Sequence, residues 1–209
     1  MSDMDFNGAD AQDAAFDVIP ANTFARVSLT IRPGGAGPEG WLTRSRASEA
    51  LYLNTEAVIL EGPHARRRVY TRIGFKGKSV NERGEDTYAN RGRSLIRGIL
   101  ESARGIRSAD QSEQARAARM IQSLGDLSGI EFLAKIGVEK DKDRPGEAGR
   151  NVIAAAIGPE HPQYAAIMGG ARPARSSAPA PGNTGLQVAA SPHAGAAAQT
   201  SGAAPFWAR

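Results

Sequence analysis

Five stretches of this chain alternate apolar and polar residues with a period of two, and a helical period intervenes only between the third and the fourth. A period of two lets a strand bury one face while the other meets water. Residues 23–32 set Val27, Leu29 and Ile31 against Arg26, Ser28 and Thr30. Residues 51–60 put Leu51, Leu53, Ala57 and Ile59 on one side. Residues 69–75 put Val69, Thr71, Ile73 and Phe75 on one side, leaving Arg68, Tyr70 and Arg72 for solvent. Residues 130–139 set Phe132, Ala134, Ile136 and Val138 against Leu133 and Lys135, and residues 151–157 carry Ile153, Ala155 and Ile157.

Between the third and fourth stretches, "RSLIRGILESARG" places Leu95, Ile96, Ile99 and Leu100 on one helical stripe, with Gly105 at the expected C-cap. Ser108 and Gln111 read as a capping box for a second helix running through Ala118, Ile121 and Leu124. "HPQYAAIM" reads as a short closing helix. This order predicts a mainly β fold with helices: a five-stranded OB-like barrel with a helical insertion between strands 3 and 4. The same order fits other small barrels and α+β sheets.

Three regions follow from composition. Residues 1–22 form an acidic arm; its first twenty residues hold five Asp and no Lys or Arg. Residues 23–170 form the folded domain. Residues 171–209 form a tail in which Ala, Pro, Gly and Ser fill 26 of 39 positions, too few large apolar groups to offset the entropy of ordering, so disorder is expected there. The chain lacks cysteine, which removes disulfides and thiolate metal sites from consideration. No apolar run has the length of a membrane span, and the acidic start lacks a signal-peptide layout. The expectation is a soluble, intracellular protein.

Positive charge is concentrated. Residues 24–97 hold fourteen Lys and Arg against seven Asp and Glu, whereas residues 98–170 are near neutral. On the third strand, Tyr70 offers a plane for a base, and Arg68 and Arg72 flank it within reach of phosphates. The alternative is a solvated strand face whose Tyr covers a barrel edge. Arg66 and Arg67 precede this strand, and Lys76 and Lys78 follow it. In OB-folds the second and third strands and the loop joining the first two bind oligonucleotides. The corresponding loop here brings Arg32, Trp41, Arg44 and Arg46, as a mobile connection whose Trp41 either stacks on a base or folds back onto the barrel.

Other signatures fail on context. Gly35, Gly37 and Gly40 satisfy GxGxxG, but Pro38 and the short distance to the next strand leave no room for the helix a dinucleotide site requires. "GKS" at residues 77–79 lacks the first P-loop glycine, since Arg72 stands there. His64, His161 and His193 are isolated. The acids of "EKDKDRPGE" are interleaved with Lys140, Lys142 and Arg144 and read as a hairpin loop. No catalytic residue, cofactor or metal site is expected. Phe206 and Trp207, at the end of the tail, read as a partner-binding tip for a replication or recombination protein.

Five motifs together carry a family likeness: "DFNGADAQDAAFDVIPANTFARVSLTIRPGG", "GWLTRS", "LEGPHARRRVY", "IRGILESARGI" and "GIEFLAKIGVEK". Across roughly residues 4–170 the chain resembles an uncharacterised family of phages and integrative elements, encoded among recombination and replication genes. The resemblance implies an OB-fold single-stranded DNA-binding protein, and it supports Arg67, Arg68 and Tyr70 as a basic, aromatic strand start. One departure concerns the turn after "EGP", where the family tends to carry Gly and this chain has Arg66. The combined expectation is a non-catalytic protein that coats single-stranded DNA during replication or recombination of a phage or mobile element. A homo-oligomer is compatible with it. The alternative is a protein-interaction module, a recombinase loader or inhibitor, using the same basic face.

Overall fold

The computed structural model describes Gly8, residues 18–140, Gly146 and residues 149–169. Every described residue lies within one compact unit. The strands are β1 (Thr23–Arg32), β2 (Thr43–Arg44), β3 (Leu51–Ile59), β4 (Arg68–Lys76), β5 (Glu131–Glu139) and β6 (Arg150–Ala156). The helices are α1 (Thr87–Arg104), α2 (Glu113–Ala117) and α3 (Pro162–Met168), with a 3₁₀ turn at Leu124–Leu127.

All strand pairs are antiparallel. The hydrogen-bonded path runs β2–β3–β1–β5–β6, and β4 pairs with β3 along its other edge. The sheet of six strands is not closed by a ladder. Its two ends, β4 and β6, are instead bridged by a side chain: the Ile153 N–H donates to Thr71 Oγ1 at 2.8 Å. The Thr55 hydroxyl in turn donates to the Thr71 carbonyl at 2.7 Å. Two buried Thr thus serve backbone groups of β4 and β6.

The predicted apolar faces form the core. Val27, Leu29, Leu53, Ala57, Ile59, Val69, Ile73, Phe132 and Ile136 are almost wholly buried, and α1 adds Ile99 and Leu100. Each large side chain removed from water in this way contributes about 1.5–3 kcal/mol. Ile19, in the stretch read as the acidic arm, also joins this core; its N–H donates to Asn151 Oδ1 at 2.9 Å. Leu133, expected on the polar side of its strand, is buried as well, with its N–H donating to Ser102 Oγ of α1 at 3.0 Å.

Helix α1 begins earlier than its apolar stripe implied. Asp86 caps it, accepting from the Ala89 N–H at 2.9 Å and from the Gly77 N–H at 2.6 Å. Those backbone donors hold the Asp86 carboxyl below the ordinary range. One carboxylate therefore ties the segment after β4 to the start of α1. The helix ends at Gly105, in the left-handed conformation expected of a C-cap.

Three expectations are corrected. Phe75 is exposed, not buried: a register shift pairs Tyr52 with Gly74 and Leu51 with Lys76, so Phe75 loses its place in the alternation. The second helix is only five residues long and starts at the Ser112 cap, not Ser108, whose hydroxyl donates to Glu160 Oε1 at 2.8 Å. It stops because Arg104 donates to the Ala118 and Met120 carbonyls, while Arg119 turns inward to Glu101 at 2.6 Å. The connection after β1 is hydrogen-bonded: Ala36 bridges Leu42, and β2 pairs with β3.

The β3–β4 turn holds a non-glycine residue in the left-handed region. Arg66 has φ +68°, and its N–H donates to the Ile59 carbonyl at 2.7 Å. A side chain in this region costs about 1–2 kcal/mol, which glycine avoids. Arg66→Gly is expected to raise stability by about 1 kcal/mol, since glycine's extra unfolded-state entropy offsets part of the relief. A thermal melt should show Tm rising by about 2–4 °C; an unchanged or lower Tm would mean the turn carries no strain.

Candidate nucleic-acid interface

Cross-strand register builds the outer face of β1, β3 and β4. Thr30, Glu56 and Tyr70 stand in one row, and Arg32, Asn54 and Arg72 in the next. Arg68 pairs opposite Val58, and Tyr52 opposite Gly74. Along β4 the expected alternation is present: Val69, Thr71 and Ile73 are buried, and Arg68, Tyr70 and Arg72 are exposed. Tyr70 is 45% exposed, which leaves a large part of its ring to solvent.

Glu56 lies at the centre of this face and is only 8% exposed. Its two carboxylate oxygens serve two cations. Arg32 Nε donates to Oε2 at 3.0 Å, and a terminal nitrogen of Arg68 forms an ion pair with Oε1 at 2.9 Å. The hydrogen bond and charge of Glu56 raise the Arg32 guanidinium above its ordinary pKa. The Arg32 guanidinium also lies 5.2 Å from the Tyr70 ring centroid. A second pair repeats the motif: Arg72 lies 5.2 Å from the centroid of Tyr52. Each is a cation–π contact, and each fixes a guanidinium plane beside an aromatic ring.

The cations on and around the face thus divide into two groups. Arg32 and Arg68 share one carboxylate, and Arg44 pairs with Glu49. Among the described residues, Arg46, Arg66, Arg72, Lys76 and Lys78 have no ion pair. At the C-terminal end of β4 lies a cleft of about 370 Å3 whose walls include Tyr52, Arg72, Lys78 and Tyr88. Burial pushes the Tyr88 phenol above its ordinary pKa, with Arg72 opposing and Tyr52 adding to the shift.

The other expected residues are dispersed. Trp41 is half-buried and packs on the core, and its ring faces Gly125, where an added Cβ would lie 2.6 Å away. The same Trp41 lines an apolar cavity of about 260 Å3 with Leu42, Phe75 and Leu124. Arg66 and Arg67 sit at the turn before β4, and Lys76 and Lys78 at its far end. A strand of this length separates those ends by about 26 Å. Phe206 and Trp207 lie outside the described residues, as do most of residues 1–17 and 141–148.

Tyr52, Glu56 and Tyr88 were not among the expected site residues. The alternation of residues 51–60 already places Tyr52 and Glu56 opposite Leu51 and Leu53. Their neighbours, however, are set by register with β1 and β4, which no single strand's pattern specifies. Among the described residues no group of three His, Cys, Asp or Glu could hold a metal ion, and no helix is long and apolar enough to cross a membrane. No family model, curated protein or solved structure matches this chain.

Proposed function

We propose that this chain is a non-catalytic single-stranded DNA-binding protein built on an OB-like barrel, with α1, α2 and the 3₁₀ turn inserted between the barrel's third and fourth strands. Its setting is replication or recombination of a phage or mobile element in a bacterial host. The observation that carries the reading is Tyr70: an aromatic ring 45% exposed, on a strand face, with Arg68 and Arg72 beside it and Arg32 against its ring. Exposed rings interleaved with cations accept bases of any identity by stacking, while the cations follow the backbone. The strand order supports the barrel, because β4 and β6 approach closely enough for Ile153 to reach Thr71.

Arg46, Arg66, Arg72, Lys76 and Lys78, without an ion pair among the described residues, set the salt dependence. At about −0.7 per phosphate neutralised on single strands, the log–log slope for oligo-dT should be roughly −3 to −4. Fluorescence titration with oligo-dT and with duplex at several salt concentrations checks it. A flat salt response, or equal affinity for duplex, would overturn the single-strand reading.

A further inference from the structure

We infer that the cleft at the end of β4 is a pocket for one nucleotide of the bound strand, with its base against Tyr52 and Tyr88 and its phosphate on Arg72 and Lys78. The inference rests on the single-strand reading above and divides that face into parts with different tasks.

Charge is the first argument. Arg32 and Arg68 are held by Glu56, so a phosphate approaching them competes with a carboxylate already in place. Arg72 and Lys78 have no such competitor among the described residues. Asp86, next to the lining residue Thr87, accepts from the Gly77 and Ala89 backbone amides and sits where it caps α1, and Glu49, between the lining residues Ser48 and Ala50, is paired with Arg44. A phosphate entering here meets two uncompensated cations.

Shape and chemistry give the second argument. A volume of about 370 Å3 lies at the small end of ligand cavities, large enough for one nucleotide and too small for a folded peptide. The Arg72 guanidinium is held beside the Tyr52 ring, so a phosphate on Arg72 brings its base to the wall that Tyr52 and Tyr88 help to form. Tyr88, 38% exposed, forms part of the cleft wall. Ser45, Ser48 and Ser79 line the cleft with hydroxyls that both donate and accept, suited to base edges and sugar without selecting one base. The pocket lies beyond Tyr70 along β4, so a strand crossing Tyr70 runs into it.

The test is anisotropy titration of labelled oligo-dT with the full chain and four variants: Tyr52→Ala, Tyr52→Phe, Lys78→Ala and Arg68→Ala. Tyr52→Ala should weaken binding by about 5- to 150-fold, the loss of one stacking platform, and Tyr52→Phe should bind like the wild type. Lys78→Ala should reduce the salt slope by about 0.7, and Arg68→Ala by clearly less, because Glu56 already offsets Arg68. Wild-type affinity and slope in Tyr52→Ala and Lys78→Ala, with oligo-dT still bound, would overturn the pocket alone. Failure of the wild type to bind oligo-dT would overturn the functional reading together with the pocket.

Discussion

Gly92→Ala is expected to destabilise the domain by about 3 kcal/mol, at the upper end of what overpacking a close contact costs. A Cβ added at Gly92 would lie 1.7 Å from the Gly74 carbonyl oxygen and 2.7 Å from its carbon. Both partners are backbone, so no rotamer change relieves the clash, and α1 must move away from β4. Helix propensity alone argues the opposite: replacing a helical Gly by Ala should gain about 1 kcal/mol. The sign of the change therefore decides between local preference and packing. A thermal melt should show Tm lower by about 6–12 °C, from 2–4 °C per kcal/mol for a chain of this size. A higher Tm would mean that α1 does not rest on β4 through these two glycines.

That contact also shows where sequence reasoning ended. The five main strands and the first helix were legible because each is set by its own periodicity, as Val27, Leu29 and Ile31 illustrate. The Gly105 cap was legible for the same local reason. What escaped depended on partners distant in sequence. Nothing in the local pattern marks Gly92 as resting against the Gly74 backbone of β4. The second helix looked longer because nothing local reports that Arg104 takes the Ala118 and Met120 carbonyls or that Arg119 turns to Glu101. Phe75 looked buried because a register shift is invisible in one strand's alternation. The local pattern around Trp41 leaves both of its placements open, and its ring lies against Gly125.

The candidate site divides along the same line. Arg68, Tyr70 and Arg72 were visible as one strand's outer face. Glu56 changes their meaning, because its single charge is shared by two of the local cations and orients them, and it leaves Arg72 with the cleft at the far end. An acid near the middle of a basic face lowers its net charge, which weakens long-range attraction for any polyanion. In exchange it holds Arg32 against the Tyr70 ring. A face arranged in this way favours contacts that need aromatic planes over contacts that need charge alone, which is the distinction between unstacked single strands and duplex.

The double variant Tyr52→Ala/Tyr70→Ala should lose about 2–6 kcal/mol of affinity for oligo-dT, from about 1–3 per stacked base. The two losses should add. Tyr70 pairs with Glu56, four residues along β3 from Tyr52, so the rings attach about 13 Å apart along the strand, beyond the range where substitutions usually couple. Neither substitution removes a charge, and Glu56 still holds Arg32 and Arg68. Affinity should therefore fall by a similar factor at every salt concentration, and the salt slope should stay near that of the wild type. Stacking and charge are separated by that comparison: aromatic loss shifts the line, and loss of Lys78 tilts it. If Tyr70 instead only covers the edge of the sheet, the double variant will melt earlier and bind as tightly as before. A folded double variant with wild-type affinity would place the nucleic acid on another surface of the domain.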